Sequence, residues 1–167
     1  MTAESFHSII YSITTAIVLV AALYDLKSRR IPNGVTVPAM VLGISLHAIH
    51  SGWTGLALSM GGLVIGGGVF LLLSLAGSMG AGDVKLMAGV GALLGVGLII
   101  SVLILTALGG GIIAISKIVV WHVRRRTAPP LRSGEENPLH ETMPYGVAIA
   151  MGTMAALVLR ILGGGTL

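Results

Sequence analysis

Between Val84 and Trp121 the only charged side chains are Lys85, at the mouth of the run, and Lys117 near its end. One helix over that run would be about 57 Å long at 1.5 Å per residue, nearly twice the hydrocarbon thickness of a bilayer. The run is therefore expected to fold back. Gly91, Gly95 and Gly97 offer the break, giving a short fourth span and a longer fifth one that ends near Trp121.

The rest of the chain has the same character. Of its 167 residues 54% are hydrophobic and 10% charged, and the mean hydropathy is +0.97. That is too little polar surface to cover a soluble globule, so the composition implies an integral membrane protein. The first apolar run, Ile9 to Tyr24, is preceded by Glu4 and His7 but by no Lys or Arg. It lacks the basic start of a cleavable signal peptide and is expected to be a retained span that ends at Asp25. Lys27, Arg29 and Arg30 then mark the cytoplasmic side.

Pro32-Asn33-Gly34 has the composition of a turn, after which Val35 to Ile49 leads outward. His50 to Gly55 carries no basic residue and places Trp53 at an interface, as an external loop does, and Gly55 to Ala76 returns. Two crossings by the Val84–Trp121 run bring Arg124, Arg125 and Arg126 inside. Arg124 to Met143 is then a cytoplasmic loop and Tyr145 to Leu162 the last span. The expectation is an all-α polytopic fold of about six transmembrane helices, a single integral membrane domain over residues 1–167. Nine of the ten basic residues then lie inside, Arg160 being the exception.

Several functions are excluded early. The chain has no cysteine, so it holds no disulfide, thiolate metal site or cysteine nucleophile. The pI near 10.0 does not indicate a nucleic-acid partner, because the basic residues lie in short loops without interleaved aromatics. Gly80-Ala81-Gly82 lacks the third glycine and the preceding strand of a dinucleotide fingerprint. Gly62 with Gly66, and Gly91 with Gly95, have the small-xxx-small spacing of close helix packing in lipid. His47 and His50 stand one helical turn apart with no carboxylate or third ligand near them in sequence, and are expected to be interfacial rather than metal-binding.

The chain contains two aspartates, Asp25 and Asp83, and the expected topology delivers both to the cytoplasmic face. An ionised group at the mouth of an apolar segment is costly unless solvated, paired or protonated. Two carboxyl groups that face each other do not both ionise easily, so one holds a proton while the other acts as a base toward water. That is the chemistry of an aspartic peptidase, which requires no metal or organic cofactor. Gly80 and Gly82 allow backbone to approach Asp83 closely. On topology alone the aspartates could equally cap helix ends or pair with Lys27 or Lys85. A small proton-coupled transporter or a non-catalytic membrane subunit is the alternative of another class. Transporter carboxylates, however, belong at mid-span, and these two share one end.

Asp25-Leu26-Lys27-Ser28-Arg29-Arg30-Ile31-Pro32-Asn33 and Gly80-Ala81-Gly82-Asp83-Val84-Lys85-Leu86, continued by Ala88, Gly91 and Leu94-Gly95, closely resemble the two active-site signatures of the type IV prepilin peptidases. Met143-Pro144-Tyr145-Gly146-Val147-Ala148-Ile149-Ala150 is similar to that family's third segment. The ordered set spans nearly the whole chain. The resemblance implies a membrane aspartic endopeptidase of the bacterial inner membrane. Such an enzyme removes the short basic leader of prepilin-like membrane proteins on the cytoplasmic side, in type IV pilus assembly and protein secretion. Asp25 and Asp83 are the implied catalytic pair, and Pro32, Asn33, Gly80, Gly82, Lys85, Pro144, Tyr145 and Gly146 the supporting motif residues; no cofactor is implied.

The Gly-x-Gly-Asp element with Tyr24-Asp25 also resembles presenilin-type proteases, but Ile31-Pro32-Asn33 favours the prepilin branch. Longer prepilin peptidases carry a cytoplasmic region with zinc-binding cysteines and an amino-terminal methyltransferase activity. With no cysteine and nothing before the first span, this chain resembles the short, peptidase-only branch associated with tight-adherence pili, and is expected to cut without methylating.

Overall fold

The computed structural model describes residues 2–77, 79–127 and 145–163. They form four helical elements: α1 (Ala3–Ser28), α2 (Asn33–Leu75), α3 (Ala81–Thr127) and α4 (Tyr145–Leu162). Each of the four is long and apolar enough to cross a membrane. The all-α membrane architecture is as expected, but the described residues make four continuous elements, not six separate helices.

The differences from expectation lie at helix ends and have local causes. α1 begins before Ile9 because Thr2 caps it, its Oγ1 accepting from the Ser5 N–H at 3.3 Å. It does not end at Asp25. It continues to Ser28, where Arg29 turns left-handed (φ 51°) and donates its N–H to the Asp25 carbonyl at 2.8 Å. Pro32-Asn33-Gly34 is not a free turn either. Pro32 (φ −69°, ψ 145°) is the N-cap of α2, which Asn33 opens.

The expected external loop from His50 to Gly55 shrinks to one non-helical residue, Gly52 (φ 57°, ψ −133°). Of the three glycines proposed to break α3, Gly95 does so, at φ 69° and ψ −178°. Both backbones are ones a Cβ would strain, and glycine adopts them freely. α3 also runs past Trp121 to Thr127, taking Arg124 to Arg126 into helix. The remainder of the expected Arg124–Met143 loop, and Pro144, lie outside the described residues. α4 has the boundaries expected of the last span.

The contacts show how the long elements are folded. The Ser59 hydroxyl, from the second half of α2, donates to the Ala92 carbonyl at 2.7 Å, and Gly43, from the first half, lies against the same peptide. A Cβ added at Gly66 would meet both the Met87 carbonyl (2.7 Å) and the Ile99 side chain (3.1 Å). In an unbroken helix residues 87 and 99 stand about 18 Å apart, so α3 reverses at Gly95. Leu86, Met87, Val90 and Leu93 before the reversal, and Ile99 and Val102 after it, are fully buried. With Val18 of α1 and Ile149 of α4 they make the core. Leu72, Leu75, Ile104 and Leu162 are among the large apolar side chains left exposed, as a lipid-facing surface requires.

Gly62 and Gly91 abut backbone to backbone, and a Cβ on either would overlap the other's carbonyl. Gly62→Ala is therefore expected to lower the unfolding midpoint in detergent, at a cost of about 1–3 kcal/mol. At Gly68 an added Cβ meets nothing within 4 Å, so Gly68→Ala is expected to be near neutral. Equal effects of the two substitutions would rule out backbone approach as the reason for Gly62.

Candidate active site

Asp25 lies in the last turn of α1, 6% exposed, and its Oδ2 accepts from the Gly146 N–H at 2.8 Å. Gly146 stands in the first turn of α4, where leading N–H groups have no acceptor within the helix. The carboxyl group satisfies one of those donors at the positive end of the α4 dipole. A Cβ on Gly146 would stand 2.9 Å from both Cβ and Oδ2 of Asp25, so a larger residue would push the two apart.

Asp83 is the third residue of α3 and is 8% exposed. Its Oδ2 accepts from the Gly80 N–H at 3.3 Å while its own N–H donates to the Gly80 carbonyl at 3.1 Å, a reciprocal N-terminal cap. The approach to this cap is a short built turn. Gly77 (φ 77°) closes α2 with its N–H on the Ser74 carbonyl at 2.9 Å, and the Ser74 hydroxyl donates to the Met79 carbonyl at 3.1 Å. Sequence reasoning did not single out Gly77 or Ser74. The signal for Gly77 was a glycine just past the end of an apolar run, the usual C-terminal stop of a helix.

The two aspartates sit at the same end of the bundle, Asp25 in the last turn of α1 and Asp83 in the first turn of α3. The chain that leaves Asp25 passes against Gly82, the residue before Asp83. A Cβ on Gly82 would be 3.3 Å from Cβ of buried Ile31, tighter than an easy contact. Gly80 is different, since a Cβ there would meet Asp83 Oδ2 at an ordinary 3.5 Å. What Gly80 contributes is its N–H. Lys85 Nζ donates to Asn33 Oδ1 at 3.0 Å, tying the first turn of α3 to that of α2. Tyr145 opens α4 half-buried, and Pro32 caps α2. Both aspartates thus do cap helices, Asp83 its own and Asp25 that of α4, and they do so at one end of the bundle.

Among the described residues no three of His, Cys, Asp and Glu gather as a metal site. His47 and His50 lie instead around Phe6, whose ring stacks on His50 (centroids 3.9 Å apart, 9° between planes) and meets His47 edge-on at 5.3 Å.

The fold and site thus define an all-helical membrane protein with two buried carboxyl groups at one end of its bundle. Residues 12–115, more than half of the chain and both aspartates with it, match the type IV leader peptidase family, and the chain belongs to that family. Comparison with curated proteins and with solved structures gives no match.

The Gly146 contact is open to test. Gly146→Ala is expected to displace the Asp25 carboxyl and lower leader cleavage by about 100-fold, the scale of a 1 Å misplacement. Gly80→Ala, which keeps the N–H and finds room for its Cβ, is expected to retain most activity. A leader-cleavage assay reports both.

Proposed function

We propose that this chain is an aspartic endopeptidase that removes the leader peptide from type IV prepilin-like membrane proteins, with Asp25 and Asp83 as its catalytic pair. One observation carries the reading. Two carboxyl groups are buried together at one end of an apolar bundle, each seated on the backbone N–H of a glycine from a family-like motif. In the proposed reaction the ionised carboxylate takes a proton from water as the oxygen attacks the scissile carbonyl. The protonated partner donates to the carbonyl oxygen. The tetrahedral intermediate then collapses, the first carboxyl returns its proton to the departing amine, and the second recovers its own. The cycle balances without a cofactor.

The proposal extends to topology. The breaks at Gly52 and Gly95, with the doubling back described above, support six crossings made by four helical elements. The basic residues from Lys27 to Arg30, together with Lys85, support a cytoplasmic location for the aspartate end, in the bacterial inner membrane. Membership of the peptidase-only, tight-adherence branch is supported by the absence of cysteine from these 167 residues.

Asparagine separates capping from catalysis, because its side-chain oxygen still accepts the glycine N–H but cannot exchange a proton at this site. Asp25→Asn and Asp83→Asn are each expected to leave membrane insertion unchanged and to abolish cleavage of a co-expressed prepilin. Substantial processing by either variant would remove that residue from the pair.

The proposed reaction also needs one carboxyl group ionised and the other protonated. Cleavage is expected to fall at acid pH, where both carboxyl groups are protonated and no base remains, and at alkaline pH, where both are ionised and no acid remains. A rate that stays flat from the acidic to the alkaline side would contradict a shared-proton mechanism.

A further inference from the structure

Ser74 lies in the last turn of α2, ahead of the turn that leads to Asp83. A hydroxyl on an apolar helix commonly bonds the carbonyl one turn back. Ser12, Thr14, Thr15 and Ser28 do so in this chain, each donating to the carbonyl four residues earlier. Ser74 reaches the other way. Its hydroxyl donates forward to the Met79 carbonyl at 3.1 Å, while its own carbonyl accepts the Gly77 N–H at 2.9 Å. Ser74 thus holds the turn at two points, and the left-handed backbone at Gly77 (φ 77°) brings the chain back within reach of the side chain.

The carbonyl that Ser74 holds shares one planar amide with the Gly80 N–H. That N–H is the donor that seats Asp83, at 3.3 Å from its Oδ2. The groups form a chain that runs from hydroxyl to carbonyl, across one amide, and from N–H to carboxyl group. Fixing the carbonyl fixes the direction of the N–H, because a rotation of the plane moves both. A bond accepted at the oxygen also draws charge from the nitrogen and strengthens the N–H as a donor, by roughly 10–30%.

Both effects matter more at Asp83 than at Asp25. The N–H that holds Asp25, at 2.8 Å, belongs to an amide within the first turn of α4, where the helix sets its direction. Met79 and Gly80 lie outside both α2 and α3, so the direction of the amide between them is set by the turn, and Ser74 holds that turn. We infer that Ser74 is a positioning residue for Asp83, holding through one amide the N–H on which that carboxyl group is seated. The inference rests on the proposed reading in which Asp83 belongs to the catalytic pair.

The test uses the full chain, purified in detergent, with a purified prepilin as substrate. Ser74→Ala is expected to lower kcat for leader cleavage by about tenfold, the scale of one neutral hydrogen bond, and to leave KM unchanged. Ser74→Thr and Ser74→Val have the same shape and differ by the hydroxyl, which guards against a change in packing. Thr is expected to keep most of the activity and Val to fall with Ala. Ser12→Ala, which removes a hydroxyl of the commoner kind from α1, is expected to leave kcat unchanged.

A readout without substrate separates the link from catalysis. The unfolding midpoints of Ser74→Ala, Asp83→Ala and the double variant form a cycle, and the two substitutions are expected to be non-additive because each removes one end of the same chain of bonds. Wild-type kcat in Ser74→Ala, equal kcat in Ser74→Thr and Ser74→Val, or additive midpoints would overturn the inference. Non-additive midpoints together with full cleavage by Asp83→Asn would uphold the link between the two side chains and overturn the catalytic pair instead.

Discussion

The backbone contact between Gly62 and Gly91 is the constraint on which the rest of the bundle depends. In lipid there is no hydrophobic gain in bringing two apolar helices together, so association rests on close packing and on the few polar bonds available. At this contact the carbonyl of each residue occupies the space that a side chain on the other would fill. Ser59 adds a hydroxyl bond to the Ala92 carbonyl one residue away, and Gly43 brings the first half of α2 against the same turn of α3. Both halves of α2 are thereby fixed on one stretch of α3, and the stretch that begins with Asp83 becomes the axis of the molecule.

The placement of the two carboxyl groups follows from that axis. Asp83 is set by the cap it makes with Gly80, itself placed by the Gly77 turn out of α2. Asp25 reaches the same region because Ile31, three residues past the end of α1, packs against Gly82, and because the start of α4 offers it the Gly146 N–H. Burying a carboxyl group is expensive unless it is hydrogen-bonded, and backbone donors at helix starts are the cheapest partners in an apolar bundle. The bonds that make these residues look structural are therefore the same ones that would hold a catalytic pair in place.

The two ends of the bundle contrast. One holds two carboxyl groups and the Lys85–Asn33 tie, and the other a cavity with arginine, histidine and tyrosine on its wall. Gly95 matters to that second end. Its φ of 69° reverses α3 and opens a fresh helix start beside His47. One glycine thus both folds the longest apolar run back on itself and shapes the polar side of the cavity.

The sequence by itself determined the kind of structure. Apolar length and the scarcity of charge require membrane helices, the Tyr145–Leu162 span is the same in both readings, and the motifs around Asp25 and Asp83 mark the family. It also singled out Gly146, through motif resemblance alone and without a physical role. The spacing marked Gly62 and Gly91 for close packing and offered Gly95 among three breaks, but only the tertiary structure decided which neighbour each described glycine meets. Gly52, Gly77 and Gly95 take left-handed backbone, Gly43, Gly62 and Gly91 admit a neighbouring backbone, and Gly68 does neither. These residues are chemically identical, and what separates them is the atom that stands where a Cβ would be. That atom commonly belongs to a residue tens of positions away, and for Gly146 it belongs to Asp25, 121 positions away. Local pattern carries no trace of such a neighbour, because the neighbour is set by packing.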